Sequence, residues 1–304
     1  MPIEPTKSIW MNGELIPWEE AKIHVLTHTL HYGTGIFEGI RAYETAEGPA
    51  IFRLTEHMDR LMNSAKILAI PMPYSSEELQ EAAKQVVRES GLASCYIRPI
   101  AYYGYGEMGL ATTDCKVDVA IACWPWGAYL GEDAATKGVR MKISSWVRHD
   151  HNIMPPASKT TGNYANSTLA KMEALQAGYD EAIMLNKEGL VAECSGENLF
   201  VCRNGKIMTP PLVSGALEGI TQHTIMSFVR DLGYEVTFEA LARSDLYTAD
   251  EIFVVGTAAE VSAVNSVDDR PVQCPGPITQ KVAELYAETV RGKNSDYSHW
   301  CEVV

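Results

Sequence analysis

The chain has 304 residues, of which 46% are hydrophobic and 21% are charged, and its formal net charge is -14 at pH 7. This composition excludes a disordered protein, and the length favours two domains. The negative charge argues against non-specific binding to nucleic acid or to an anionic membrane, because both need clustered Lys and Arg. We therefore expect small-molecule partners or sister subunits.

The seven cysteines are an odd number without CxxC spacing. This pattern favours reduced thiols over a disulfide framework or a zinc site. No stretch approaches the length of a membrane span, and the N-terminal segment has no basic region followed by an apolar run. The sequence therefore predicts a cytoplasmic protein.

The first half of the chain begins with "SIWMNGELIP", residues 8–17, where an Asn-Gly pair between short apolar segments predicts a hairpin. The stretch 55–68 has apolar residues at three- and four-residue spacing behind Thr55, which predicts an amphipathic helix with Thr55 as its N-cap. A second helix is indicated by the capping box of Ser75 and Glu78 and by Gly91. Strands are predicted at "CYIRPIAYYG" and "VDVAIACWPW".

The second half begins with a predicted strand, "VRMKISSWV", followed by a helix near "NSTLAKMEALQAG" that ends at Gly178. Hairpin turns are predicted at "NKEG" and "CRNGK". Two further helices are predicted, "GITQHTIMSFVRDLG" and "PITQKVAELYAETVRG", the second with Pro277 at its first turn.

The order of these elements predicts an α+β protein of two domains. Small residues without apolar periodicity make "GAYLGEDAATKG" the candidate connection. We therefore divide the chain into a smaller N-terminal domain, a linker and a larger C-terminal domain, at residues 1–125, 126–138 and 139–304.

One motif resembles a dinucleotide-binding loop. The stretch "GYGEMG", Gly104 to Gly109, matches G-x-G-x-x-G directly after a predicted strand. That function needs a helix N-terminus immediately afterwards, whereas a turn and another strand are predicted here. We therefore interpret the motif as a loop.

Lys159 lies in "MPPASKTTGNYANS", between a proline-rich approach and a run of small polar residues. Such a lysine can be a solvated loop cation, as most lysines are. It can also be a nucleophile, provided that its amine is partly desolvated. This stretch alone leaves both interpretations open.

Six motifs in a fixed order resemble the branched-chain amino acid aminotransferases, members of the class IV pyridoxal-phosphate enzymes. They extend from residue 31 to residue 261, and the similarity covers almost the whole chain. Each motif is weak by itself, whereas the ordered set is highly specific. The motifs are "HYGTGIFEGIRAY", "YIRP", "KTTGNYANS", "ECSGENLFV", "GALEGIT" and "VVGTAAEV".

The resemblance implies fold type IV, with pyridoxal 5'-phosphate held between a smaller N-terminal and a larger C-terminal α/β domain. It makes Lys159 the residue that forms the Schiff base and shuttles the α-proton. Glu193 is expected to face the pyridine nitrogen and Tyr164 to contact the phenolic oxygen of the cofactor. The remaining cofactor-binding residues that the resemblance implies, mostly around the phosphate, are Arg60, Gly196, Leu217, Gly219, Ile220, Thr221 and Thr257.

The resemblance also implies a substrate pocket. Tyr96 and Arg98 should point to the same face of a strand, where the guanidinium can pair with the distal carboxylate of glutamate. The Tyr96 hydroxyl and the backbone amides of Thr257 and Ala258 would hold the α-carboxylate. Expected apolar contacts come from Phe37, Tyr129 and Tyr164, from Tyr32 of a neighbouring subunit, and from Met108 and Leu110 as lids.

The implied reaction is reversible ping-pong amino transfer between L-leucine, L-isoleucine or L-valine and 2-oxoglutarate, without a metal. The family builds its sites at subunit interfaces, so at least a homodimer is expected and a hexamer remains open. A D-amino acid transaminase, an (R)-amine transaminase or an aminodeoxychorismate lyase would use the same lysine and cofactor. A non-catalytic binding protein that kept the fold is the alternative from another class.

Overall fold

The structure, a computed structural model, describes residues 3–127, 130 and 137–304. This part of the chain forms two compact units, and each unit contains one large β-sheet together with helices. The predicted α+β class is therefore confirmed. The first unit comprises Met1–Gly127, Ser158–Gly162 and Thr289–Val304, and the second comprises Ala128–Ala157 and Asn163–Glu288.

Two short segments, Ser158–Gly162 and Thr289–Val304, cluster with the first unit, whereas the sequence placed them in the second domain. Thr160 forms a β-bridge with Ile36, and the last strand of the chain pairs with Gly48–Phe52. These pairings join residues far apart in sequence, so local patterns gave no sign of them. The predicted linker lies mostly outside the described residues.

The sheet of the first unit has the strand order β17-β5-β4-β6-β7-β1-β2, with β3 paired to β6 off this path. Every pairing in it is antiparallel. Its strands are β1 (Ser8–Met11), β2 (Glu14–Pro17), β3 (Gly35–Phe37), β4 (Ile40–Thr45), β5 (Gly48–Phe52), β6 (Cys95–Tyr103), β7 (Val117–Trp124) and β17 (Cys301–Val303).

The hairpin between β1 and β2 is confirmed. Asn12 and Gly13 have φ values of 52° and 100°, which are the positive values that a tight hairpin turn requires. The strands predicted at β6 and β7 are also present, and they pair directly with each other.

Three helices of the first unit are described: α1 (His28–Tyr32), α2 (Leu54–Ile67) and α3 (Ser76–Ser90). Apolar side chains of α2 and α3 enter the same core as the inward faces of the sheet, which explains their helical spacing. The capping box at the start of α3 is confirmed, and Gly91 ends the helix in the left-handed conformation.

The predicted N-cap of α2 is wrong. Arg53, with φ 57°, precedes the first helical residue, and Thr55 lies inside the helix. The Arg53 N–H donates to the carbonyl of Trp300 at 2.7 Å, and the Arg53 guanidinium lies over the Trp300 ring. The Thr55 hydroxyl instead contacts the Glu302 carboxylate at 3.0 Å. Long-range contacts with the end of the chain therefore fix the start of this helix.

The sheet of the second unit has the order β10-β9-β8-β15-β14-β11-β12-β13, with β16 paired to β15. Strand β8 runs parallel to both of its neighbours. The strands are β8 (Val139–Val147), β9 (Glu181–Leu185), β10 (Val191–Cys194), β11 (Asn198–Arg203), β12 (Lys206–Thr209), β13 (Val236–Phe238), β14 (Glu251–Gly256), β15 (Glu260–Val267) and β16 (Arg270–Pro271).

The second unit contains four α-helices among its described residues: α4 (Tyr164–Gln176), α5 (Ile220–Asp231), α6 (Arg243–Tyr247) and α7 (Pro277–Thr289). Pro277 is the first residue of α7, as predicted. The predicted turns also occur, with Gly189 and Gly205 at positive φ. In the described part of the chain no helix is both long and apolar enough to cross a membrane.

Candidate active site

The backbone of Lys159 is held on both sides by the first unit. Its N–H donates to the Ser64 hydroxyl at 3.0 Å, and its carbonyl accepts from the N–H of Phe37 at 3.0 Å. The side chain is half-buried, and its Nζ lies 5.2 Å from the centre of the Phe37 ring. Lys159 is therefore a positioned, partly desolvated amine, which is the environment that a nucleophilic lysine needs.

The small residues after Lys159 serve backbone packing within this unit. A Cβ at Gly33, where φ is 66°, would lie 2.8 Å from the Cα of Gly162. The Thr161 hydroxyl donates to the Gly33 carbonyl at 2.8 Å, and the N–H of Gly162 donates to the same carbonyl at 3.2 Å. Close approach of the two chain segments therefore requires glycine at position 33.

Tyr96 and Arg98 lie on the same face of β6, as predicted, because the Arg98 guanidinium donates to the Tyr96 hydroxyl at 3.0 Å. The guanidinium also lies over the Phe37 ring, 4.7 Å from its centre. The Nε of Arg98 is buried and has no hydrogen-bond partner among the described residues. A buried, unsatisfied cationic donor is costly, so this atom indicates a place for an anionic ligand.

Gly39 and two tryptophans complete this region and were missed from the sequence. A Cβ at Gly39 would lie 2.0 Å from the Tyr96 hydroxyl oxygen, so only glycine leaves room for that hydroxyl. The rings of Trp124 and Trp126 lie 5.2 and 4.6 Å from the Tyr96 ring. Their position in "CWPW" gave no signal beyond the strand pattern.

Arg60 does not lie on a solvated helix face. Its Nε and Nη2 donate to the two oxygens of Glu38 at 2.7 and 2.8 Å. Glu38 is fully buried, and it also bonds His57 Nδ1 at 2.7 Å. Burial raises the pKa of Glu38, but the charge of Arg60 and the hydrogen bonds from His57 and Arg60 outweigh it and hold that pKa well below its usual range.

Glu193 in the second unit is buried on β10 and is held by three groups. Arg148 forms an ion pair with one oxygen at 2.5 Å. The other oxygen accepts from the N–H of Leu217 at 2.9 Å and from the Asn198 side chain at 3.4 Å. Arg148 also donates to the Ser167 hydroxyl at 3.1 Å. The carboxylate is therefore fixed in position by partners that the sequence reasoning did not identify.

Asn198 connects Glu193 with the start of α5. Its amide donates to the Leu217 carbonyl at 3.0 Å, and its oxygen occupies the place where a Cβ of Gly219 would stand. Gly219 is the N-cap of α5, Ile220 is its first residue, and Thr221 is buried beside them. The positive end of a 12-residue helix is thus available to bind an anion.

Other predicted cofactor and substrate residues lie in turns or at a helix start of the second unit. Gly196 is in the turn between β10 and β11, where no atom outside its chain neighbours lies within 4 Å of an added Cβ. Thr257 and Ala258 form the turn between β14 and β15 and are half-buried. Tyr164 is the first residue of α4 and is half-buried.

The remaining predicted substrate residues form an exposed group in the first unit. The Tyr32 hydroxyl donates to the Met108 carbonyl at 3.0 Å, and His28 bonds the Gly109 carbonyl at 2.8 Å. Leu110 is 83% exposed. The described chain continues from "GYGEMG" through a turn into β7 without a helix, as expected for a loop. Tyr129 lies outside the described residues.

The structure thus brings the predicted residues together in groups. In the first unit, Lys159 and Arg98 share the Phe37 ring. In the second unit, Glu193 and Leu217 are joined through Asn198. The described residues contain no group of three or more His, Cys, Asp or Glu side chains arranged to hold a metal ion.

Comparisons with known proteins agree over nearly the whole chain. The family model described as amino-transferase class IV matches residues 35–267. The branched-chain-amino-acid aminotransferase of Pseudomonas aeruginosa is 47% identical over 97% of each chain.

Solved structures give the same result. A crystal structure of the Escherichia coli branched-chain amino acid aminotransferase has a TM-score of 0.96 and 44% identity, covering 98% of this chain and 99% of that one. The branched-chain amino acid aminotransferase of Thermobaculum terrenum, solved in its PLP-form, has a TM-score of 0.91 and 36% identity, covering 97% of each chain.

Proposed function

The chain belongs to the class IV aminotransferases, and we propose that it is a branched-chain amino acid transaminase that uses pyridoxal 5'-phosphate. Its substrates in this proposal are L-leucine, L-isoleucine or L-valine and 2-oxoglutarate, exchanged by a reversible ping-pong reaction. Arg98 supports the proposal most directly, because it is a half-buried cation beside the Phe37 ring whose Nε is buried and unsatisfied among the described residues. Such a group can accept a distal carboxylate or remain beside an aliphatic chain.

The donor groups present fit the cofactor chemically. The start of α5 and Arg60 suit a phosphate dianion, Glu193 suits a protonated pyridine nitrogen, and Lys159 suits an aldehyde. The open space above Gly196 would let a planar ring approach the backbone. When bound, the cofactor supplies an aldehyde for the substrate amine and a ring that accepts electrons as the α-proton leaves.

Lys159 has two tasks in this proposal. Its Nζ would hold the cofactor through the aldehyde, and the same Nζ would carry the substrate α-proton as a general base and acid. The hydrogen bonds at its N–H and carbonyl keep the start of the side chain fixed between these tasks. Partial burial also limits competition from water for the amine.

Glu193 would be the partner of the pyridine nitrogen, and Tyr164 would donate to the phenolic oxygen of the cofactor. Arg148 and the Leu217 N–H fix the Glu193 carboxylate, so little reorganisation is needed when the ring binds. The groups that would hold the phosphate are Arg60, the amides around Leu217 and Gly219–Thr221, and the Thr257 hydroxyl.

The substrate α-carboxylate is held by the Tyr96 hydroxyl and the amides of Thr257 and Ala258. The Arg98 guanidinium lies 3.0 Å from that hydroxyl and orients it. Phe37, Tyr164 and Tyr129 provide apolar surface for the side chain.

The assembly we propose is at least a homodimer in which Tyr32 contributes to a neighbouring subunit's site and Met108 and Leu110 cover it. Large apolar side chains exposed on the same part of the first unit support this proposal, since such patches mark interaction surfaces. They are Ile23, Val25, Leu26, Leu30 and Tyr105. Sedimentation velocity that finds only monomers at micromolar concentration would contradict it.

A cytoplasmic location is part of the proposal. All seven cysteines lie in the described residues and are free thiols. Five of them are buried. Free thiols are typical of proteins in reducing compartments.

The experiment that tests this function is a panel of half-reactions followed by the absorbance of the bound cofactor. L-Leucine should convert the cofactor to its amine form, and 2-oxoglutarate should restore it. D-Alanine and (R)-1-phenylethylamine should react at least about a hundredfold more slowly, because several contacts must be matched in one enantiomer. Reaction with D-alanine but not with L-leucine would assign the chain to the D-amino acid enzymes instead.

A further inference from the structure

Three side chains of the first unit are joined by hydrogen bonds in the order His57, Glu38 and Arg60. The last of them, Arg60, is the proposed phosphate arginine. Glu38 and His57 have no role in the proposed function. Their side chains are 0% and 2% exposed, and the side chain of Arg60 is 12% exposed. Burying a carboxylate costs several kcal/mol unless it is paired and hydrogen-bonded, so an ion pair at this depth requires an explanation.

We propose that Glu38 and His57 are positioning residues that set the orientation of Arg60 toward the phosphate of the cofactor. The inference rests on the proposed role of Arg60 and adds two residues that act through it. Neither residue touches the phosphate in this account.

The contact with Glu38 fixes the plane of the Arg60 guanidinium. A guanidinium carries five N–H donors in one plane, and Glu38 receives one from Nε and one from Nη2. A two-point contact with a carboxylate restricts rotation as well as distance. The orientation of the remaining donors of Arg60 is then set before any ligand binds, which lowers the entropy cost of binding.

His57 fixes the carboxylate in turn. A carboxylate only accepts hydrogen bonds, so the His57 Nδ1 must carry the proton that lies between them. Burial lowers the pKa of His57, and the Arg60 and Lys159 cations lower it further, against opposing effects of Glu38. The ring is therefore a neutral donor at physiological pH, and its orientation follows from its hydrogen bond to Glu38.

Glu38 is adjacent in sequence to two other residues of the proposed site. Glu38 lies between Phe37, whose ring contacts Lys159 and Arg98, and Gly39, which leaves space for the Tyr96 hydroxyl. The Glu38 N–H donates to the Pro99 carbonyl at 2.9 Å, which anchors this tripeptide to β6. A shift of Glu38 would therefore move groups on both sides of it.

The test compares two cofactors that differ only in the phosphate. Dissociation constants for pyridoxal 5'-phosphate and for pyridoxal are measured with the wild-type chain and with Glu38→Gln, His57→Phe and His57→Asn. We expect Glu38→Gln and His57→Phe to weaken pyridoxal 5'-phosphate at least about tenfold, the effect of one misplaced charged hydrogen bond, with pyridoxal changed less than about twofold. His57→Asn keeps an N–H donor near Nδ1 and should restore most of the affinity.

Glu56→Gln is the matched control. Glu56 lies in the first turn of α2, and its carboxylate accepts from the Arg53 Nε, so this change also removes a carboxylate from an arginine. Its ratio of the two dissociation constants should equal that of the wild type. The ³¹P resonance of the bound cofactor should shift in Glu38→Gln and His57→Phe but not in Glu56→Gln.

Three results would overturn the inference. Equal losses of affinity for pyridoxal 5'-phosphate and for pyridoxal in the Glu38 and His57 variants would show that these residues have only a general structural role. Unchanged affinities for both cofactors would show that they have no role in binding. If Arg60→Gln leaves the ratio unchanged, the premise about Arg60 fails and the inference falls with it. Failure of the proposed reaction is separate, because it would appear as absence of amino transfer from L-leucine by the wild-type chain.

Discussion

At the scale of single residues, Lys159 is distinguished by its fixed backbone and its half-buried amine, not by its local sequence. The stretch "MPPASKTTGNYANS" is compatible with a solvated loop. The structure pairs this segment with β3, a contact between residues more than 120 positions apart. Only the ordered set of motifs indicated the importance of Lys159 from the sequence, because a single motif carries no such long-range information.

Lys159→Ala should lower the rate of both half-reactions by at least about a hundredfold, the smallest effect usual for loss of a general base. Borohydride treatment of the wild type should attach the cofactor covalently to the peptide that contains Lys159, which mass spectrometry would detect. Lys171→Ala is a suitable control, since Lys171 lies in the second unit, where it forms an ion pair with Glu181. Covalent attachment to a different lysine would contradict the assignment.

Arg98 offers a prediction about substrate choice. Arg98→Gln should lower kcat/KM for L-glutamate by about a hundredfold, because it removes a charged partner of the distal carboxylate. The value for L-leucine should fall less, by about tenfold, because L-leucine loses only the Arg98 contact that orients the Tyr96 hydroxyl. The same change at Arg140, an exposed arginine paired with Asp269, should affect neither substrate. Equal losses for both amino acids would place Arg98 outside the distal-carboxylate site.

Gly39 provides a steric prediction. In Gly39→Ala the new Cβ would lie 2.0 Å from the Tyr96 hydroxyl oxygen and force it to move. We expect KM to rise about tenfold for L-leucine and L-glutamate alike, since both use the α-carboxylate contact. Unchanged KM values in Gly39→Ala would show that the Tyr96 hydroxyl does not contribute to substrate binding.

At the scale of elements, the hairpin β1–β2 and the capping box of α3 were predictable because their signals are local. The start of α2 was not, since Arg53 is held by Trp300 from the end of the chain. The same limit hid the partners of the predicted site residues. Glu38 in "FEGI" and Arg148 in "WVRHD" have no spacing that indicates an ion pair with Arg60 or Glu193.

Helix α2 carries a pH-dependent contribution to stability through His57. Burial lowers the pKa of His57 in the folded state, so below pH 6.5 the unfolded chain binds a proton that the folded chain does not. The free energy of unfolding should therefore fall as pH is lowered below 6.5, by up to about 1.4 kcal/mol per pH unit from this group. The pKa of Glu38 is also lowered in the folded state. Its contribution to the free energy of unfolding is therefore lost only below about pH 4.5, where the unfolded carboxylate takes up a proton.

Urea unfolding between pH 5 and 6.5 can isolate the contribution of His57. His57→Asn removes the titrating ring. The change should reduce the slope of the unfolding free energy against pH by up to about 1.4 kcal/mol per pH unit, the contribution of one proton. His149, whose pKa is also lowered by burial, stays in both proteins and cancels in the comparison. Identical slopes in the two proteins would mean that His57 titrates alike in the folded and unfolded states.

At the scale of the whole molecule, the chain consists of two units with one sheet each, and the proposed site residues are distributed over both. Lys159 and Arg98 are in the first unit, whereas Glu193 and the start of α5 are in the second. The division into two α+β parts followed from the sequence. The return of the last residues to the first unit did not, because it depends on pairing between β17 and β5.

In the proposed function, this chain moves the amino group of a branched-chain amino acid to 2-oxoglutarate through Lys159. Its most direct test is to incubate the protein and pyridoxal 5'-phosphate with ¹⁵N-labelled L-leucine and unlabelled 2-oxoglutarate, and to measure the label in glutamate by mass spectrometry. We expect ¹⁵N-glutamate from the wild type and none above background from Lys159→Ala. Unlabelled glutamate alone, or equal labelling by both proteins, would contradict it.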